Sequence, residues 1–224
     1  MFYNCRYIID LDLSSFCTKE VTSMIGMFFG CSNLAFIDLS GFNTSKVKFM
    51  KRMFSCCNNL KKIDVSSFDT KNVLNMYEMF HSCSELTELD LSSFDTSNLI
   101  SMNGMFWNCA NLTNINLSSF NTLKITGTRY LFSNCSSLVK LDLSNFKTPK
   151  NQDSVAMFQF CYKLEEIDLS NFEIHENHDY LNTLLMTKIT IFSECNNLRK
   201  IKIKKNIYET LKEMIPNNPE IIIV

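Results

Sequence analysis

The sequence predicts an α/β solenoid, a right-handed β/α superhelix of about eight rungs with a 26-residue period. Three observations carry this. Cys5, Cys31, Cys57, Cys83, Cys109, Cys135 and Cys161 stand 26 residues apart, and Cys195 follows after 34. Two phenylalanine columns keep the same register, one from Phe16 to Phe172 and one from Phe28 through Phe158 to Phe192. Inside each period, an alternating apolar stretch is followed by apolar residues at helical spacing.

The unit from Cys83 to Asn108, CSELTELDLSSFDTSNLISMNGMFWN, justifies each element in turn. Leu89 and Leu91 alternate with Asp90, the period-2 spacing of a strand. Met102, Met105, Phe106 and Cys109 fall at i, i+3, i+4 and i+7, which predicts about two turns of helix with one apolar face. So short a helix is marginal in water and a single strand has no partner, so each rung needs its neighbours. Stacking turns the interior Leu, Phe, Met and Cys into one core, with an axis of roughly 40 Å at strand spacing.

The solenoid is expected over residues 1–203, with an insertion of 34 − 26 = 8 residues between Phe172 and Phe192. Residues 204–224 leave the repeat. Ile207, Leu211, Met214 and Ile215 have helical spacing before Pro216, which predicts a C-terminal cap. Met1 to Cys5 align with Met27 to Cys31, so the chain opens inside a unit and reads as a truncated product or fragment.

The recurring pattern M-F-x-x-C-x-x-L-x-x-[LI]-D-L-S-x-F-[DN]-T resembles a leucine-rich repeat, and more narrowly the 26-residue repeat of BspA-like surface proteins. The resemblance runs from Met1 to about Ile203. It implies a curved leucine-rich-repeat solenoid, a cell-surface or extracellular location, and a role in adhesion. It implies no catalytic residue, since the recurrent positions are structural.

Charge and composition remove several function classes. With 22 Lys plus Arg against 23 Asp plus Glu, no basic excess exists to grip nucleic acid or an anionic membrane. Five Gly and three Pro exclude collagen-like and Gly-loop chains. No cationic segment followed by an apolar run marks a signal peptide, and no stretch reaches the 18 or so apolar residues of a membrane span, so a cytoplasmic location stays open. Phosphate-loop, dinucleotide and H-E-x-x-H patterns are absent, and no cofactor is expected.

Four groups invite chemistry. The column cysteines read as buried free thiols packing as small hydrophobes, with disulfide or metal roles as alternatives; Cys17 and Cys56 lie off the column and are the candidates for exposure. Asp12, Asp38, Asp64, Asp90, Asp142 and Asp168 share one outward strand position, interrupted by Asn116 and ended by Lys202. Serines two residues on are expected to support this column by hydrogen bonding to backbone, with Ca²⁺ as the alternative. The other outward column changes identity: Asp10, Phe36, Lys62, Glu88, Asn114, Lys140, Glu166 and Lys200. Those from Phe36 to Glu166 are the candidate binding face for a protein or glycan ligand, against a plain solvated face. Finally, Ile174 to Tyr180 contain H-x-x-H, a weak metal hint, and none of the three histidines is visibly paired with a Ser or Cys nucleophile. The expectation is a non-enzymatic binding module, an adhesin by resemblance, with an intracellular interaction spacer as rival.

Overall fold

A computed structural model describes residues 1–173 and 190–224. Its frame is a stack of rungs in which each residue meets its counterpart 26 positions on. On the strand face, β1 (Glu88–Asp90) pairs in parallel with β2 (Asn114–Asn116), with Leu89 opposite Ile115. A second block runs β3 (Lys140–Asp142), β4 (Glu166–Leu169), β5 (Lys200–Ile203) and β6 (Glu220–Ile223), all parallel. The β4–β5 step spans the predicted insertion, since Glu166 pairs with Lys200. The result is a repeat solenoid-like α/β fold with parallel sheets and few helices.

The segment predicted as helix is a different structure. Among the described residues the only α-helix is α1 (Lys205–Leu211), which lies outside the repeat. In the second rung, Met27, Phe29 and Cys31 donate backbone N–H bonds to the carbonyls of Met24, Gly26 and Phe28, three consecutive tight turns. The intervening Met24, Gly26, Phe28 and Gly30 donate instead to Phe49, Lys51, Met53 and Ser55 of the next rung at 2.8–2.9 Å. The physical reason is thickness. A helix with its side chains is roughly 10–12 Å across, while rungs bonded through backbone lie about 4.8 Å apart. The turn face is therefore stitched from rung to rung at strand spacing, which a helix in each rung would not allow.

These turns require the left-handed backbone twice per rung. One column holds Gly26, Arg52, Glu78, Gly104, Tyr130 and Ala156, with φ between 51° and 61°. The other holds Asn4, Gly30, Cys56, Ser82, Asn108, Asn134, Phe160 and Glu194. Glycine and asparagine enter this region at little cost, and the remaining residues are held there by the bonds to adjacent rungs.

The core follows the sequence columns. Phe2, Phe28, Phe54, Phe80, Phe106, Phe132, Phe158 and Phe192 form an unbroken stack with ring centroids 5.3–6.2 Å apart. In the other column ring pairs form at Phe68–Phe94 (6.5 Å) and Phe120–Phe146 (6.1 Å). Phe94 and Phe120 are both buried, yet they form no ring pair with each other. Corners are closed by threonine: Thr44, Thr70, Thr96 and Thr122 each donate a hydroxyl bond to a carbonyl one rung on, at 2.8–3.0 Å. Beyond Ile203, α1 buries Ile207 and Leu211, and β6 then adds itself to the sheet, Ile201 opposite Ile221.

Candidate functional site

The strand face is built from two outward columns separated by an inward residue. Register alone brings the variable column into line, placing Glu88 beside Asn114 and Glu166 between Lys140 and Lys200. Phe36, Lys62, Glu88, Asn114 and Lys140 are exposed and Glu166 is half-buried. Lys62 Nζ meets Glu88 Oε1 at 3.1 Å and Lys140 Nζ meets Glu166 Oε1 at 2.7 Å, opposite charges on adjacent rungs. The hydrogen bond between the latter two raises Lys140 and lowers Glu166. Exposed pairs of this kind are worth little in stability, so their effect is to define the charge pattern of the face.

The constant column is organised by serine, in a way the sequence reading had only half right. Each carboxylate bonds its own turn, its Oδ1 accepting the backbone N–H of the serine two residues on: Asp12 from Ser14, Asp38 from Ser40, Asp64 from Ser66 and Asp90 from Ser92, all 2.9 Å. Asn116 does the same for Ser118 at 3.1 Å. The serine N–H, with its hydroxyl, holds Asp12, Asp38 and Asp90 below the usual carboxylate range, and at Asp64 the Ser66 hydroxyl leads. Lys202 closes the column by pairing with Asp168 at 3.1 Å.

The cysteine column is buried from Cys31 to Cys195, and all ten cysteines are free. These thiols are more than small hydrophobes. Each donates Sγ–H to the carbonyl of a phenylalanine one rung back: Cys57 to Phe28, Cys83 to Phe54, Cys109 to Phe80, Cys135 to Phe106 and Cys161 to Phe132, at 3.1–3.2 Å. That carbonyl already accepts the turn N–H, so the thiol fills its second lone pair. Burial pushes Cys109 up to about 12. Off the column, Cys17 is exposed and Cys56 half-buried, as expected.

One constellation was missed from sequence. His81 bonds Ser55 Oγ through Nδ1 at 3.1 Å and Ser82 Oγ through Nε2 at 3.2 Å. It also packs against Trp107, whose other neighbour is Tyr130. Glu78, in the rung of His81, is ion-paired to Arg52 one rung back. Burial lowers His81, whereas at Glu78 hydrogen bonds from Arg52 and Tyr77 overcome burial and hold it low. Aligning the rungs would have found the pair, because Ser55 and His81 are 26 apart. Ser55 is fully buried and its hydroxyl is committed to the ring, so the group anchors the turn face without presenting a nucleophile.

The H-x-x-H segment, Ile174 to Tyr180, lies outside the described residues. Among the described residues no helix is long and apolar enough to cross a membrane. The family described as "Mycoplasma protein of unknown function, DUF285" matches the chain at residues 1–113 and 78–189. No curated protein matches it.

Proposed function

The chain belongs to the DUF285 family of Mycoplasma proteins, and on that premise we propose a non-enzymatic binding module that offers its strand face to a protein or glycan ligand. The observation carrying this is a contrast between adjacent columns. Asp12 to Asp168 repeat with only Asn116 among them, bonded to the serines two residues on, while Phe36, Lys62, Glu88, Asn114, Lys140 and Glu166 vary over apolar, cationic, anionic and neutral side chains. A rigid scaffold displaying changing residues at fixed spacing is how repeat proteins build recognition surfaces.

In this reading the solenoid is a leucine-rich-repeat relative of the BspA type with right-handed crossovers, the usual hand for parallel strands. Residues 204–224 serve as its cap, which the docking of Ile207, Leu211 and β6 supports. Placement on a cell surface rests on the BspA resemblance. The free and buried thiols favour the rival, an interaction spacer in a reducing compartment. The balanced charge argues against nucleic acid as partner. A binding screen over immobilised glycans and host surface proteins tests the module. The variant Lys62→Ser/Glu88→Ser/Lys140→Ser/Glu166→Ser should fold and lose at least about tenfold in affinity, the scale of about 1.4 kcal/mol; a hit bound equally by that variant would overturn the assignment of the face.

A further inference from the structure

We infer that the first three rungs of the strand face form a docking groove for a cationic polypeptide segment carrying an apolar anchor, an inference that rests on the strand face being the binding surface and narrows its partner. Phe36 is 60% exposed in a column that is elsewhere polar or charged. Beside it, Leu11, Ile37 and Ile63 are only half-buried. Asp10, Leu11, Phe36, Ile37, Asp38 and Lys62 line a groove of about 450 Å³. A half-open apolar floor with a large ring standing in it is the geometry in which a partner's aliphatic side chain finds most of its contact area.

Charge selects the occupant. Between Asp10 and Asp90, six acids (Asp10, Asp12, Asp38, Asp64, Glu88, Asp90) face two lysines, Lys61 and Lys62, and Lys62 is already committed to Glu88. Further along, five acids (Asp142, Glu165, Glu166, Asp168 and Glu220) meet four cations, Lys140, Arg199, Lys200 and Lys202. The anionic half of the face is therefore the half with the apolar groove, and it is complementary to Lys or Arg flanking an apolar residue. A polypeptide is the occupant that carries both features, basic side chains and an aliphatic anchor on one chain.

Two short synthetic peptides test this with the full chain, one alternating Lys with Leu and one alternating Glu with Leu. Titration followed by fluorescence anisotropy should show the Lys–Leu peptide binding, more weakly as salt rises. Phe36→Ser and Asp38→Asn/Asp64→Asn should each weaken it at least about tenfold, with melting temperatures near that of the unaltered chain, and Lys163→Ser, at an exposed position off both outward columns, should leave it unchanged. Equal binding of the Glu–Leu peptide, or indifference to both Phe36→Ser and the Asn pair, would overturn the inference. Weakening by Lys140→Ser alone would overturn it while sparing the strand-face reading. Binding indifferent to every variant on the face would sink both.

Discussion

A buried thiol that donates to a carbonyl explains why cysteine recurs where any small apolar residue would fill the space. At Cys109 the sulfur packs in the core and Sγ–H satisfies Phe80 O at 3.1 Å, so one residue serves packing and bonding together. The period revealed the column, but the bond was not legible, because its acceptor is a main-chain atom 29 residues back and no side-chain pattern records that. The thiol carries a pH signature. Its ordinary value is 9.0, and burial raises it to about 12 in the folded state. A group whose folded value is raised stabilises fully below the unfolded value, and that contribution drains away as pH climbs toward the folded one. Stability measured by urea unfolding should therefore fall progressively between about pH 9 and pH 12. Cys109→Val, which has no proton to lose, should show a shallower fall; an unchanged slope would mean that the column does not titrate on unfolding.

At the level of the element, the correction is from helix to consecutive turns. Met102, Met105, Phe106 and Cys109 are all buried as their spacing demands, yet Gly104 at φ 61° and Asn108 at φ 61° break any helix between them. Burial at i, i+3, i+4 and i+7 is common to both structures, so the sequence pattern determined which side chains point inward and left the backbone path undetermined. Gly26, Gly30 and Gly104, with Asn4, Asn108 and Asn134, were the available hint, masked in other rungs by Arg52, Glu78 and Tyr130 at equivalent positions. At Gly104 the turn leaves little room for a side chain. A Cβ there would lie 3.1 Å from Glu78 Cγ in a left-handed conformation, while a Cβ on Gly41 would meet nothing within 4 Å. Gly104→Ala should destabilise by about 1–2 kcal/mol and Gly41→Ala should be close to neutral, as read from thermal melts. Equal effects would contradict the turn assignment.

For the molecule as a whole, one repeat length sets everything that the columns share. The phenylalanine stack from Phe2 to Phe192 and the threonine corners reuse contacts between adjacent rungs, and the Asp–Ser turns repeat one local contact rung after rung, so the stacking was readable from three ladders of side chains in the sequence. What the period could not supply was whatever breaks it: the strand face closing in two blocks, and β6 returning to the sheet after only 20 residues, with Lys200 opposite Glu220. Removing a whole unit should leave every column in register, whereas removing half a unit should set Phe against turn and strand against corner. Cooperative thermal unfolding of two deletion variants, one lacking residues 84–109 and one lacking 84–96, tests this most directly. The account predicts that the 26-residue deletion still melts cooperatively and the 13-residue deletion does not; two variants equally unfolded, or a half-unit deletion that melts as well as the full one, would contradict it.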